Sequence, residues 1–325
     1  MPEGTLECEP AVYRFVIRRL MLAALTMFVV SVLTFFMLRL IPGDIVDLML
    51  SDFGYAADRD AILRELGLHR PFYVQFGEWF GGLFVGDLGQ SLWTGNTVTH
   101  ELGRRYPVTL ELSLIALVVS IVLSIPIGII TAVRQDTWVD YALRSVSIGL
   151  VAVPILWIGT LVVTLPALFF GWAPPLSYVP FTEDPIKNLS VMALPGIIVG
   201  IPLMGGTIRM TRAMLLEVVR QDYIRTAWAK GLQPQTIWYR HAVRNALIPV
   251  LTLIGLQIPF LLGGTVIIEQ IFNLPGMGIY MLQSLQNRDY VPAQTIILTF
   301  AGATVLINLI VDLLYGVLDP RIKYT

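Results

Sequence analysis

Charge is what this 325-residue chain lacks most: 14% of its residues are Asp, Glu, Lys or Arg, against 55% hydrophobic. A soluble domain carries about 25% charged residues, so the polar residues here are too few to cover a water-facing globule. Cysteine occurs once, at Cys8. That excludes an internal disulfide and a cysteine-built metal cage. No apolar stretch precedes Cys8, so it is not a lipoprotein cysteine, and a solvated residue near the N-terminus is expected. Histidine occurs three times, at His69, His100 and His241, each in a different polar segment. No H-E-x-x-H spacing is present, which leaves a metalloprotease site unsupported. No G-x-S-x-G elbow is present either. The nearest approach to a phosphate loop, Gly81 to Asp87, has an acid where a lysine is needed and follows an aromatic-rich stretch rather than a strand. The chain is not expected to bind ATP, a metal or any other cofactor by itself, and no catalytic residues are assigned.

Six apolar runs stand out: Leu20–Leu38, Leu112–Val133, Ser145–Trp172, Leu189–Ile208, Ala246–Ile268 and Val291–Val311. Each supplies about the 20 residues that a helix needs to cross the hydrocarbon core. Alternating ten-residue strands, the mark of a membrane barrel, are missing. The expected fold is an all-α membrane protein with six transmembrane helices and no attached soluble domain. Arg14, Arg18 and Arg19 precede the first run like the start of a signal peptide. Its apolar core is too long for one, however, and no small-residue cleavage pattern follows. It is read as a retained span behind an N-terminal segment, residues 1–19.

Lys and Arg set the orientation. With the N-terminus inside, 14 of the 22 positive residues fall in inside segments, seven of them within 209–245. The loops 173–188 and 269–290 then hold only Lys187 and Arg288. This is the positive-inside pattern, with both termini cytoplasmic. The long segment 42–107, which is largely exempt from that rule and carries nine acids, is placed outside. It reads as folded. Asp58 can cap a short helix ending before Gly67. Phe72, Phe76, Trp79, Phe80 and Leu83 fall at helical spacing behind Pro71 and are expected to pack on the spans or lie in the headgroup layer.

Within the spans, Asp312 is the best candidate for a functional carboxylate. It lies close to Arg321 and Lys323, so structural pairing or capping is expected of it rather than proton transport. The spans otherwise read as nearly free of charge, which argues against an ion-driven secondary transporter. Pro126, Pro154, Pro166, Pro195, Pro202, Pro249 and Pro259 punctuate them. Gly196 and Gly200 form a small-xxx-small pair, followed by Gly205 and Gly206. Kinks and close helix approach suit a bundle that moves, and also occur in static ones.

Segment 209–245 is the most informative. Leu215, Val219, Tyr223 and Ala227 repeat every four residues, which predicts an amphipathic helix. Lys230 in its last turn and Gly231 after it make a good C-terminus, and Pro234 can open a second helix. Such an ordered basic loop reads as a docking element. The alternative is a solvated loop that only enforces topology.

The stretch "DYIRTAWAKGL", with "RHAVRNALIPVLT" after it, resembles the cytoplasmic coupling loop of binding-protein-dependent ABC transporter permeases. It is closest to the branch that carries dipeptides, oligopeptides or nickel. Arg225, Thr226 and Ala227 stand where other branches have E-A-A, and Gly231 is the motif glycine. "RLIPGD", "LGLHRPFYVQF", "GDLGQSL", "IFNLPGMG", "NRDYV" and "LINLIVDLLYGVLDPRIKY" match the same branch in order, so the resemblance covers nearly the whole chain. It implies a type I importer architecture over residues 20–325, in a bacterial or archaeal cytoplasmic membrane. The implied partners are a second homologous permease, two ATPase subunits that hold ATP and Mg, an extracytoplasmic substrate-binding protein and the lipid bilayer; nucleic acid is not among them. It implies that Asp222, Tyr223, Arg225, Thr226, Ala227, Lys230, Gly231, Leu232 and Pro234 form the coupling loop. It also implies that Glu269, Phe272, Pro275, Gly276 and Gly278 form a compact re-entrant segment facing the binding protein, where Pro275, Gly276 and Gly278 permit tight backbone. The solute implied is peptide-like; nickel chelates, glutathione and oligosaccharides use similar permeases. The rivals are a stand-alone transporter or channel, an intramembrane enzyme and a passive anchor.

Overall fold

The computed structural model describes residues 8–41, 43, 45–53, 59–175 and 177–318. Asp58, Arg321 and Lys323 lie outside that set, as do Pro42 and Asp44 of "RLIPGD". Among the described residues the chain is helical, with one isolated β-bridge between Gln90 and Thr97. Five helices are long and apolar enough to cross a membrane, and a bent pair makes a sixth span if it is counted as one. The chain divides into two compact units, residues 1–107 with 276–325, and residues 108–275.

In the first unit, α1 (Cys8–Arg39) packs along α14 (Tyr290–Leu318). α1 is helical from Cys8, so the segment 1–19 has no break at its boundary with the span. Arg19 pairs with Asp312 at 3.0 Å, the structural role expected of that carboxylate. α2 (Ile45–Phe53) was not anticipated; α3 (Arg59–Glu65) ends before Gly67, whose φ of +69° closes the turn. α4 (Phe72–Phe84) begins behind Pro71 and lays Phe76, Trp79 and Phe80 against Phe28, Phe35 and Phe36 of α1. The aromatic stripe thus packs on a span at one edge, while Phe72 stays exposed.

α5 (Val98–Val133) starts 14 residues before Leu112, so the last turns of the segment assigned to an outer loop belong to the span helix. A Glu101–Arg105 ion pair at 2.8 Å, one turn apart, supports that extension.

In the second unit, the run Ser145–Trp172 is not one straight span. It forms α6 (Trp138–Ala152) and α7 (Ile155–Phe170), bent by 96°. Pro154 is the cause: it disfavours helical backbone at the residue before it, and Val153 is extended at φ −85°, ψ 124°. α8 (Pro185–Val219) is the core of the unit, with 67% of its span window buried against 17–33% for the other four spans. Asp184 caps it by accepting the Lys187 N–H at 3.0 Å, and Pro185 takes the first helical position. α8 runs eleven residues past the expected end at Ile208. Its glycines do what their spacing suggests. A Cβ on Gly200 would stand 2.8 Å from the Ala116 carbonyl oxygen of α5, and one on Gly196 would collide with Ile115.

α8 leads into α9 (Asp222–Ala229) and α10 (Pro234–Thr236). A π-helical stretch, Ile237–Val243, then runs into α11 (Arg244–Gly264) and α12 (Val266–Ile271). α13 (Met277–Gln286) belongs to the first unit.

Candidate functional site

The 209–245 segment is built around a turn. α8 stops at Val219, and Gln221 is extended at φ −73°, ψ 150° before α9 starts. The single amphipathic helix expected across Leu215–Ala227 is therefore two helices, and the break resets the phase. Leu215 and Ala227 are buried as expected, but Tyr223 is exposed and Ile224 is fully buried in its place. Ile224 and Ala227 pack with Ala132, Leu215, Ile237, Ala242 and Ala246. Ala227 thus faces the loop's own core.

The C-terminus of α9 is a Schellman turn. The Leu232 N–H donates to the Ala227 carbonyl at 3.4 Å, and the Gly231 N–H donates to the Trp228 carbonyl at 3.0 Å. Gly231 holds φ +70° as expected, a region where Cβ-bearing residues are penalised. Lys230 is the cap residue, and Pro234 opens α10 at its first position. Asp222 sits in the first turn of α9, where a negative charge meets the positive end of the helix dipole. The Asp222 carbonyl accepts from the Thr226 hydroxyl at 2.9 Å, and its carboxylate meets exposed Arg225 at 3.5 Å. Asn245 donates to the Tyr223 hydroxyl at 3.0 Å and so ties α9 to α11. The exposed side chains include Tyr223, Arg225, Trp228, Lys230, Leu232, Pro234 and Tyr239, together with Asp222, Thr226 and Arg240. This surface mixes aromatic rings with charge, more of it positive than negative. Tyr239 and Asn245 were missed, and Tyr239 could have been found as a large aromatic in a polar loop.

The second candidate segment divides between the units. In unit two, α12 ends in another Schellman turn, with Leu274 N–H to Glu269 carbonyl at 2.8 Å and Asn273 N–H to Gln270 carbonyl at 3.4 Å. The left-handed residue is Asn273, φ +50°. Asn273 thus supplies the tight backbone expected of Pro275 and Gly276; Gly276, already in the first unit, is extended at φ −90°, ψ −179°, which any residue adopts. Glu269 is fully buried and accepts the hydroxyls of Thr109 at 2.7 Å and Thr265 at 3.0 Å. Phe272 is buried with Ile268 and Leu274, and Pro275 is exposed. In unit one, Gly278 is buried within α13. There Asp289 receives the Ser91 hydroxyl at 2.5 Å and the backbone N–H groups of Leu92 and Trp93. Burial pushes its carboxyl above the usual range, against those hydrogen bonds.

The runs read as spans stay nearly free of charge, but two buried carboxylates lie just outside them. Asp140 is fully buried and bonded bidentately to Arg212, and Glu269 is fully buried. Asp140 lies before the run that was assigned to a span, and Glu269 one residue after one, so neither counted as internal in the sequence.

Comparison with known proteins adds the family. A model described as "Binding-protein-dependent transport system inner membrane component" matches residues 124–324, and its N-terminal companion matches 12–113. The chain is 39% identical to a Brucella abortus protein assigned to a peptide transport system as a permease, over 95% of this chain and 98% of that one. It is 38% identical to the di/tripeptide transport system permease protein DppB of Pseudomonas aeruginosa, over 95% and 98%. It is 36% identical to the dipeptide transport system permease protein DppB of Escherichia coli, over 96% and 99%.

Proposed function

The chain belongs to the family of binding-protein-dependent transport system inner membrane components, and on that premise we propose that it is a permease subunit of an ATP-driven importer. With a second homologous permease it forms the path for a peptide-like solute. An extracytoplasmic binding protein delivers the solute, and two ATPase subunits that hold ATP and Mg supply the energy. Relatives 36–39% identical along almost their full length carry peptide or dipeptide transport in their names, which favours peptides over nickel chelates, glutathione or oligosaccharides.

The observation that carries the mechanism is the α9 turn. Ile224 and Ala227 anchor it inward, while Tyr223, Arg225, Trp228, Lys230 and Leu232 are left on its exposed side. Such a surface gives the ATPase something to grip, and the inward anchor makes the turn move with the helices beneath it. Closure of the ATPase dimer then biases a two-state permease through this contact. The loop and both termini are cytoplasmic, and segments 42–97 and 269–289 are extracytoplasmic.

Reconstitution tests this reading. The complex, purified through a tag on this chain, should contain ATPase subunits. In vesicles it should take up a labelled dipeptide only with binding protein on one side and ATP on the other. Uptake driven by an ion gradient without ATP, or a complex free of ATPase subunits, would refute it.

A further inference from the structure

α6 and α8 are antiparallel neighbours joined at two places. At one, Gly205 of α8 lies so close to Ser147 and Val151 of α6 that no Cβ could be accommodated. Seven residues further along each helix, Asp140 of α6 meets Arg212 of α8. Arg212 Nε donates to Asp140 Oδ1 at 2.9 Å, and Nη2 donates to Oδ2 at 2.7 Å. Seven residues are about 10 Å of helix, so the two contacts fix both the separation and the register of the pair. Asp140 has a third partner. Its Oδ2 also accepts the backbone N–H of Asp136 at 3.1 Å, and Asp136 holds a left-handed φ of +60° in the turn between α5 and α6. One buried carboxylate therefore ties together the end of α5, the start of α6 and the face of α8.

A bidentate carboxylate–guanidinium pair fixes the angle between its partners as well as their distance. Its cost in desolvation means that such a pair is better suited to specifying one arrangement than to adding stability. Its position gives that arrangement a use. Arg212 stands seven residues before Val219, where α8 ends, and α9 follows after two residues. At its other end α6 meets the 96° bend into α7, whose Gly159 is in close contact with Ile268 and Ile271 of α12. Motion entering at α9 can pass to α8 through the two-residue link and the packing of Ile224 and Ala227 with Leu215. Whether α6 and α7 follow depends on what binds α6 to α8.

We propose that Asp140 and Arg212 are positioning residues that make α6 part of the body driven by α9, so that force applied at the coupling turn reaches the bent α6–α7 pair. This rests on the permease reading above. Neither residue touches solute or ATPase; they act by keeping the helices in one register.

The test uses the whole importer complex in vesicles, in a Cys8→Ser background. Asp140→Asn, Arg212→Gln and the double variant are compared for ATP hydrolysis and for labelled dipeptide moved per ATP, both normalised to assembled complex. Each single variant should keep ATP hydrolysis and lose about tenfold in dipeptide moved per ATP, a coupling loss of ordinary size. The double variant should be no worse than either single one, because both remove the same clasp. Asp140→Cys with Arg212→Cys, joined by a short bis-methanethiosulfonate that forms a disulfide with each thiol and releases sulfinate, should recover coupling and lose it again when the disulfides are reduced. Dipeptide moved per ATP that stays at the wild-type value while only the yield of complex falls would mean a merely structural pair. Losses that multiply in the double variant would mean two independent roles. Should the single variants not assemble, the cross-linked pair decides alone: no difference before and after reduction overturns the proposal. If the wild-type complex itself moves no dipeptide with ATP, the permease reading is what has failed.

Discussion

The second unit closes two helices with the same turn in opposite settings. α9 ends at Gly231 and α12 at Asn273, each with the paired hydrogen bonds of a Schellman motif and a left-handed residue at its corner. Within α9, only Ile224 and Ala227 are buried, and Tyr223, Trp228 and, past the turn, Leu232 remain exposed. Around Asn273, Ile268, Glu269, Phe272 and Leu274 are all buried. The backbone device is the same, so the difference lies in the side chains it presents. On the proposed reading one turn is left for a partner to cover, while the other is covered by its own chain. Substitutions in α12 should therefore act on folding, and outward-facing ones in α9 on assembly.

The largest effect should come from Glu269→Ala. The substitution removes the two charge-assisted hydrogen bonds that Glu269 accepts from the Thr109 and Thr265 hydroxyls, at about 2–4 kcal/mol in all. Thermal unfolding of the purified complex in detergent should show a clear drop in midpoint, and Glu269→Gln, which retains an acceptor, a smaller one. By contrast Trp228→Ala, at an exposed position of α9, should leave the midpoint of the isolated chain in place while the ATPase subunits dissociate more readily. An unchanged midpoint for Glu269→Ala would erase the contrast between the turns.

Ile224→Ala comes next. It empties a buried site in the small core beneath the coupling turn, at about 2–4 kcal/mol. That core is local, so hydrogen exchange should quicken across residues 222–246 and not across α8 above Ile208. Exchange that quickens throughout the second unit would mean that the turn has no separate core.

The sequence showed some of this arrangement and hid the rest. Gly231 and Pro234 could be read because one residue determines each: glycine favours the left-handed corner, and proline the first helical position. Gly196 and Gly200 likewise announced a close helix contact. The burial of Ile224 could not be read, because the four-residue repeat from Leu215 to Ala227 assumes an unbroken helix, and Gln221 breaks it without proline or glycine. Asn273 was passed over for its neighbours Pro275 and Gly276, which are commoner in turns. The Asp140–Arg212 pair joins residues 72 positions apart, and charge pattern along a chain carries no information at that range.

Gly231→Val should have an intermediate effect. Nothing lies within 4 Å of a Cβ placed at Gly231, so the cost is backbone strain alone, about 1–2 kcal/mol. The α9 turn should reopen rather than the unit unfold. Uptake and binding-protein-stimulated ATP hydrolysis should fall, while the unfolding midpoint of the chain barely moves. Gly231→Ala should lie between the wild type and Gly231→Val. Full coupling in Gly231→Val would show that the turn's geometry does not matter to the partner, and the two turns would then differ only in burial.

The smallest effect, and the sharpest, is an exchange of the two corner residues. Asn is the residue other than glycine that enters the left-handed region most readily, because its side chain can bond to nearby backbone. Asn273 is itself exposed, so replacing it removes no buried contact. Asn273→Gly relieves the left-handed strain and loosens the unfolded chain, two effects of opposite sign. Gly231→Asn reverses both. Each single variant and the pair should stay within about 0.5 kcal/mol of the wild type in unfolding, a size set by the near-equality of the two corners. Transport should be kept in all three. If Gly231→Asn abolished coupling at unchanged stability, the partner would be contacting the backbone at Gly231 where a side chain leaves no room. The coupling turn would then be defined by close approach of the ATPase rather than by its left-handed bend.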